Sequence, residues 1–214
     1  MEKLINETMD FVRKRLQGEA SGHDWWHTHR VWKNSIQIGQ GEQVDMLVVQ
    51  LAALLHDIAD WKLHNGDIMA GPLAAREFLT TRAVGAHTTA HVCDIIEKIS
   101  FKGAKVASPE LTKEGQVVQD ADRLDAIGAI GIARAFAYGG YKNRELYNPE
   151  IVPAVHETFE QYKNNASPSI NHFYEKLLLL KDLMNTDTAK KMASKRHAFM
   201  EHYLSEFFYE VGPC

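Results

Sequence analysis

The feature that most constrains the fold is a run of eight residues, 48–55, that is apolar except for Gln50 and is followed at once by His56 and Asp57. A stretch this apolar predicts a helix that is buried on nearly all sides. An imidazole and a carboxylate at the end of such a helix lose their hydration, which is costly unless a partner compensates both groups. A divalent metal ion can bind both the imidazole nitrogen and the carboxylate oxygen. The sequence therefore predicts a buried helix that ends in a pair of candidate metal ligands.

Two further candidate ligands stand in comparable settings elsewhere in the chain. His27 follows two consecutive tryptophans, and Asp122 lies between Asp120 and Asp125 in a segment that is otherwise largely apolar. Two histidines and two aspartates carry a charge of about −2 together, which neutralises a divalent ion. The helical periodicity around Asp122 leaves open which of the three aspartates is the ligand.

Composition excludes several other classes of protein. The 214 residues are 45% hydrophobic and no linker divides them, so we expect a single helical domain over residues 1–214. The net charge of −4 argues against a nucleic-acid partner, and no segment has the length of a membrane span. The N-terminus lacks a signal-peptide pattern, and two cysteines are too few for a disulfide framework, so a cytoplasmic location is expected.

Helical periodicity runs through nearly the whole chain, and no alternating strand pattern competes with it. The predicted fold class is therefore an all-α bundle, with the candidate metal site in its core. A capping sequence at Asn185, Thr186 and Asp187 predicts the start of a terminal helix that stops at Gly212. The other predicted helices span about 5–16, 24–38, 43–61, 72–81, 86–99, 110–137 (as one or two helices) and 173–180.

The order His27, His56-Asp57, Asp122 resembles the signature of the HD-domain metal-dependent phosphohydrolases. This resemblance implies a helical bundle of the HD type, with His27, His56, Asp57 and Asp122 as the metal ligands. Mn²⁺ is the expected ion, with Mg²⁺, Fe²⁺, Co²⁺ and Ni²⁺ as alternatives. Residues 54–60, 119–131 and 171–178 extend the resemblance to a branch of small, stand-alone bacterial and archaeal members.

The branch that the chain resembles includes enzymes that split nucleoside triphosphates, dNTPs among them, into a monophosphate and pyrophosphate. The implied reaction is attack on phosphorus by a water that the metal activates and Asp57 orients. Asp60, one helical turn beyond Asp57, is the candidate general base, and a surface acid at the helix end is the alternative. Other functions left open are a 5′-nucleotidase, a dinucleotide polyphosphate hydrolase, a low-turnover metal or nucleotide sensor, and a diiron oxygenase of the kind found among distant HD relatives.

Four cations are candidates for binding the substrate's phosphates: Lys62, which resembles a phosphate-binding lysine of the family, and Arg30, Arg123 and Lys102. For the two arginines a structural ion pair is the alternative, and for Lys102 a solvated loop position. Pairs of histidines with helical spacing, His23 with His27 and His87 with His91, leave a second metal site open. The sequence does not fix the oligomeric state, and a homo-oligomer is left open.

Overall fold

Helices make up all the regular secondary structure in a computed structural model, which describes residues 1–18, 24–59, 69–99, 109–154 and 167–212. Within those ranges the absence of strands confirms the predicted all-α class. Among the described helices, none combines the length and apolar character needed to span a membrane. The helices are α1 (Glu2–Arg15), α2 (Trp25–Gly39), α3 (Met46–Leu55), α4 (Ala70–Thr81), α5 (Ala86–Lys98), α6 (Lys113–Asp125), α7 (Gly128–Tyr141), α8 (Asn171–Glu175), a 3₁₀ helix (Leu177–Leu183) and α9 (Asp187–Val211).

The described residues divide into two compact units. The first contains α1 to α5 and the part of α6 that ends at Asp122, and the second contains the described residues from Arg123 onward. All four candidate metal ligands belong to the first unit. Whether the chain behaves as the single domain that composition predicts stays a prediction.

Helix α3 is the centre of the first unit, as the apolar run predicts. Every residue from Val48 to Leu55 except Gln50 is buried, and the helix packs against α1, α2 and α5. It begins at Met46 because the Asp45 carboxylate accepts hydrogen bonds from the backbone N–H groups of the first turn. The predicted span of 43–61 was too long at both ends: the α-helix ends at Leu55, residues 56–59 form turns, and residues 60 and 61 lie outside the described ranges.

In the second unit, the long helix α9 packs against α7 and the 3₁₀ helix. The predicted cap is confirmed, because the Thr186 hydroxyl accepts a hydrogen bond from the N–H of Ala189. Gly128 begins α7 with a positive φ of 77°, and a Cβ there would lie 3.0 Å from the side chain of Arg196. A glycine at this position therefore permits both the turn and the close approach of α9.

Two other predicted elements differ from the structure. The helix predicted around 173–180 is divided at Lys176, whose φ of −143° interrupts α-helical geometry between α8 and the 3₁₀ helix. The segment 110–137, predicted as one or two helices, forms two, and the second of them continues beyond the predicted end, past Gly139 and Gly140, to Tyr141. Gly139 has a packing role, since a Cβ at this residue would lie 2.0 Å from the Ser169 hydroxyl oxygen.

Substitution of Gly131 by alanine is expected to destabilise the fold by about 1–3 kcal/mol. The added Cβ would lie 2.2 Å from the backbone oxygen of Ala126, which no side-chain rotation can move. The matched control is Gly140→Ala in the same helix, where an added Cβ meets nothing within 4 Å. This control should gain up to about 1 kcal/mol from helix propensity. Urea unfolding followed by circular dichroism measures both, and equal stabilities would contradict the packing at Gly131.

Candidate metal centre

His27 enters the site near the start of α2, with a backbone that is fixed by a cap. The Asp24 carboxylate accepts a hydrogen bond from the His27 N–H at 2.8 Å, which makes Asp24 the N-cap of the helix. The imidazole itself is completely buried. The sequence carries a signal for this cap, because Asp24 is a preferred N-cap residue type and stands three positions before His27.

His56 follows the last residue of α3, and its ring orientation is set by the helix that precedes it. Its Nδ1 lies 2.9 Å from the carbonyl oxygen of Ala53. Because a carbonyl only accepts, Nδ1 is the donor, and in the neutral ring the lone pair is then on Nε2. This contact is the type of outer hydrogen bond that orients metal-binding histidines. His56 Nε2 therefore points into the cluster as a potential ligand.

Three ligand atoms converge on one point. His27 Nε2 lies 3.3 Å from His56 Nε2 and 3.2 Å from Asp57 Oδ2, while His56 Nε2 lies 3.3 Å from the same oxygen. In a tetrahedral zinc site, bonds near 2.0 Å separate neighbouring ligand atoms by about 3.3 Å. The three atoms thus have the spacing of ligands around one divalent ion, and the chemistry of two imidazoles and a carboxylate suits such an ion.

Asp122, from α6, completes the predicted set at somewhat longer range. Its Oδ1 lies 3.5 Å from His27 Nε2 and 4.0 Å from His56 Nε2. The side-chain exposure rises from 0% at His27 and 4% at His56 to 15% at Asp57 and 35% at Asp122. The histidine side of the cluster is therefore closed, and solvent reaches it from the aspartate side.

The electrostatics of the cluster favour a positive charge at its centre. Burial alone lowers the pKa of the His56 imidazole, because desolvation disfavours its charged form. The charge and hydrogen bond of Asp57, together with the charge of Asp122, outweigh this effect and raise the pKa to about 9. The raised pKa means that the surrounding carboxylates stabilise a positive charge on His56. A divalent metal ion bound to the cluster would supply a positive charge at the same place.

Asn34 supports the centre and was missed by the sequence analysis. It lies on the same face of α2 as His27, two turns further on, and is buried. Its Nδ2 lies 3.5 Å from the carbonyl oxygen of Ala121, the residue before Asp122. This contact links α2 to α6 next to Asp122, the fourth candidate ligand. Its signal in the sequence was a polar side chain on an apolar helix face.

The structure describes only some of the residues predicted to bind or activate the substrate. Asp60, Lys62 and Lys102 lie outside the described residues, as does His23 of the proposed histidine pairs. Arg30 is half-buried, one turn after His27 in α2. Arg123 is buried, and its guanidinium donates a hydrogen bond to the carbonyl of Leu183.

The two aspartates beside Asp122 do not join the cluster of described metal-ligand atoms. Asp125 is buried and forms an ion pair with Arg134 at 2.8 Å. Asp120 is completely buried. Asp122 is also outside that three-residue cluster, although its Oδ1 lies 3.5 Å from His27 Nε2 and 4.0 Å from His56 Nε2. Its role as the fourth metal ligand stays a prediction.

Comparison with known proteins identifies relatives along the whole chain. The HD domain profile matches residues 25–127, which contain all four candidate ligands. The uncharacterized protein YpgQ of Bacillus subtilis (strain 168) is 39% identical over 205 residues, covering 95% of this chain and 92% of YpgQ. The crystal structure of YpgQ in complex with ADP matches with a TM-score of 0.76 and 37% identity over 96% of this chain and 93% of that one.

Two further crystal structures are similar over nearly the full length of both chains. A protein from Lactobacillus plantarum has a TM-score of 0.86 and 38% identity, with coverage of 99% of this chain and 98% of its own. An HD-superfamily hydrolase from Bacillus thuringiensis has a TM-score of 0.77 and 42% identity, with coverage of 98% and 97%. At these identities, the similarity involves many more residues than the four candidate ligands.

Replacing Asp57 by alanine is expected to abolish the binding of Mn²⁺, because it removes the oxygen that lies next to both imidazoles. The matched control is His29→Ala: this ring lies on α2 but packs between Trp25 and Trp32, at centroid distances of 5.4 and 5.6 Å. Elemental analysis after dialysis against Mn²⁺ measures the outcome, with circular dichroism as a check on folding. Full Mn²⁺ content in the Asp57 variant would contradict the ligand assignment.

Proposed function

Because this chain belongs to the HD-domain superfamily of metal-dependent phosphohydrolases, we propose that it hydrolyses nucleoside triphosphates, dNTPs among them, to a monophosphate and pyrophosphate. The observation that carries this proposal is the convergence of two imidazoles and a carboxylate within 3.3 Å of one another, beside the more exposed Asp122. Such a centre combines a closed side that holds an ion with an open side for a substrate.

The choice of a nucleotide as the substrate is supported by a relative. YpgQ, 37% identical to this chain over nearly its full length, has a crystal structure in complex with ADP. ADP combines a base, a sugar and a diphosphate, and all three are parts of a nucleoside triphosphate. The parallel supports a nucleotide rather than another phosphate ester at the centre of this chain.

The four ligands define the chemistry of the reaction. A divalent cation, for which we propose Mn²⁺, would supply a water of lowered pKa and would offset the charge on the phosphoryl oxygens. His27 and His56 would bind the cation through their Nε2 atoms, and Asp57 would bind it through Oδ2, which lies 3.2 and 3.3 Å from those nitrogens. In the proposed step the water oxygen bonds to the α-phosphorus, the bond to the bridging oxygen breaks, and pyrophosphate leaves.

The attacking water must lose a proton, and we assign this role to Asp60. It follows Asp57 by three residues in the chain and lies outside the described residues, so the assignment rests on sequence proximity to Asp57 and on the resemblance to the family. For the phosphate oxygens we assign Lys62, two residues further on, with Lys102 and Arg30 as further candidates. Arg123 stays a candidate that would have to exchange its hydrogen bond with Leu183 for one with a phosphate.

Incubation of the Mn²⁺-loaded protein with a panel of nucleoside triphosphates and dNTPs is expected to release pyrophosphate and the monophosphate in equal amounts. Chromatography of the products distinguishes the alternatives. Inorganic phosphate from nucleoside monophosphates would indicate a 5′-nucleotidase, and cleavage of a dinucleotide polyphosphate would indicate that hydrolase. Binding of nucleotide without any product, at full metal occupancy, would contradict the proposal and indicate a sensor.

Asp60→Asn is expected to lower kcat by about 10²–10⁴-fold, since this is the usual contribution of a general base. Mn²⁺ content and nucleotide binding should stay close to those of the unmodified chain, because Asp60 is not one of the assigned ligands. Asp10→Asn, at an exposed position of α1, is the control for removal of one negative charge. Steady-state kinetics across pH measure the effect, and an unchanged kcat would exclude Asp60 as the base.

A further inference from the structure

Helix α5 carries a second arrangement of metal-ligand side chains in the first unit. His87 and His91 are four residues apart, and their ring centroids lie 6.4 Å from each other. Two histidines at this spacing on one helix face can bind the same transition-metal ion, as in the helical zinc motifs of metalloproteases. They are not part of the cluster formed by His27, His56 and Asp57 among the described residues.

The start of α6 brings oxygen atoms to this histidine pair. His91 Nε2 lies 2.8 Å from the Thr112 hydroxyl oxygen and 3.8 Å from Glu114 Oε2. The Thr112 oxygen also accepts a hydrogen bond from the N–H of Gly115 in the first turn of α6, which fixes its position. The His91 ring therefore faces a fixed hydroxyl and a carboxylate.

The carboxylate of Glu114 is oriented by a third helix. Its Oε1 accepts a hydrogen bond at 2.9 Å from the backbone N–H of Asp45, the N-cap residue of α3. Oε2 is the oxygen that faces His91. An outer hydrogen bond on one carboxylate oxygen, with the other directed at an imidazole, is the arrangement that supports metal ligands in proteins.

We propose that His87, His91 and Glu114 form a second cation site, which takes one borderline transition-metal ion such as Zn²⁺ or Ni²⁺. Ligand atoms around tetrahedral zinc lie about 3.3 Å apart, so the 3.8 Å between His91 and Glu114 has to shorten by about 0.5 Å. The His87 ring also has to turn toward them, because the ligand atoms of the three side chains do not all lie within 4.8 Å of one another. The side chains of His91 and Glu114 are 19% and 15% exposed, and that of His87 is exposed, which gives the ion a route from solvent.

Two nitrogens and one oxygen select for borderline ions over hard ones such as Mg²⁺. An ion bound here would tie α5 to the start of α6 and, through Glu114, to the cap of α3. Those last two helices lead to Asp122 and to His56, so the site would brace the segments that carry the first centre. This inference concerns binding and stability, and it does not rest on the proposed nucleotide hydrolysis.

The test uses a His56→Ala/Asp57→Ala double variant, in which two ligands of the first centre are gone. Equilibrium dialysis against Zn²⁺ followed by elemental analysis is expected to find one equivalent bound, and Zn²⁺ is expected to raise the Tm. Adding His87→Ala should remove both effects, whereas adding His202→Ala, at an exposed histidine of α9, should leave them unchanged. Glu114→Gln in the same background should weaken Zn²⁺ binding by about tenfold or more.

A second arm needs no change at the first centre. The unmodified chain is expected to bind two equivalents of Zn²⁺, and His87→Ala alone is expected to bind one. The absence of Zn²⁺ from the folded double variant, or an equal Zn²⁺ content with and without His87, would overturn the proposal. Because neither arm measures turnover, failure here is distinguishable from failure of the proposed hydrolysis.

Discussion

The rest of the first unit depends on one contact, in which the completely buried imidazole of His27 lies 3.2 Å from the Asp57 carboxylate. Groups of this kind lose their hydration on folding and need compensation from fixed partners. Here the compensation comes from three helices: α2 holds His27 through the Asp24 cap, the Ala53 carbonyl orients His56, and α6 supplies Asp122. Any shift of one helix relative to the other two would leave a buried polar group without its partner.

Helix α3 fixes the positions of His56 and Asp57 relative to the other candidate ligands. It is buried from Val48 to Leu55, apart from Gln50, so its rotation about its own axis is fixed by contacts on all sides. Because the interior is close-packed and hardly compressible, a fixed helix also fixes the direction of the residues that follow it. His56 and Asp57 therefore leave the helix in a defined direction even though they lie beyond its last residue. The polar centre therefore depends on the apolar core for its geometry.

The features that the sequence predicted correctly are those that follow from a strong local pattern. The apolar run predicted the burial of α3, and the cost of burying His56 and Asp57 pointed to a shared cation. The sequence did not predict contacts that depend on long-range packing, such as Asn34 near the Ala121 carbonyl, because a polar side chain on an apolar helix face does not by itself identify its distant partner. The break at Lys176 belongs to the same class, since its neighbours have helical spacing on both sides. The caps at Asp24 and Asp45, by contrast, are local features that aspartate at those positions indicates.

The gradient of exposure across the first centre limits how a substrate can reach it. Side-chain exposure is 0% at His27, 15% at Asp57 and 35% at Asp122, so approach from the histidine side is blocked by the core of the first unit. A substrate must then approach the centre along the side on which Asp57 and Asp122 lie, because their carboxylates are the parts of the cluster that solvent reaches.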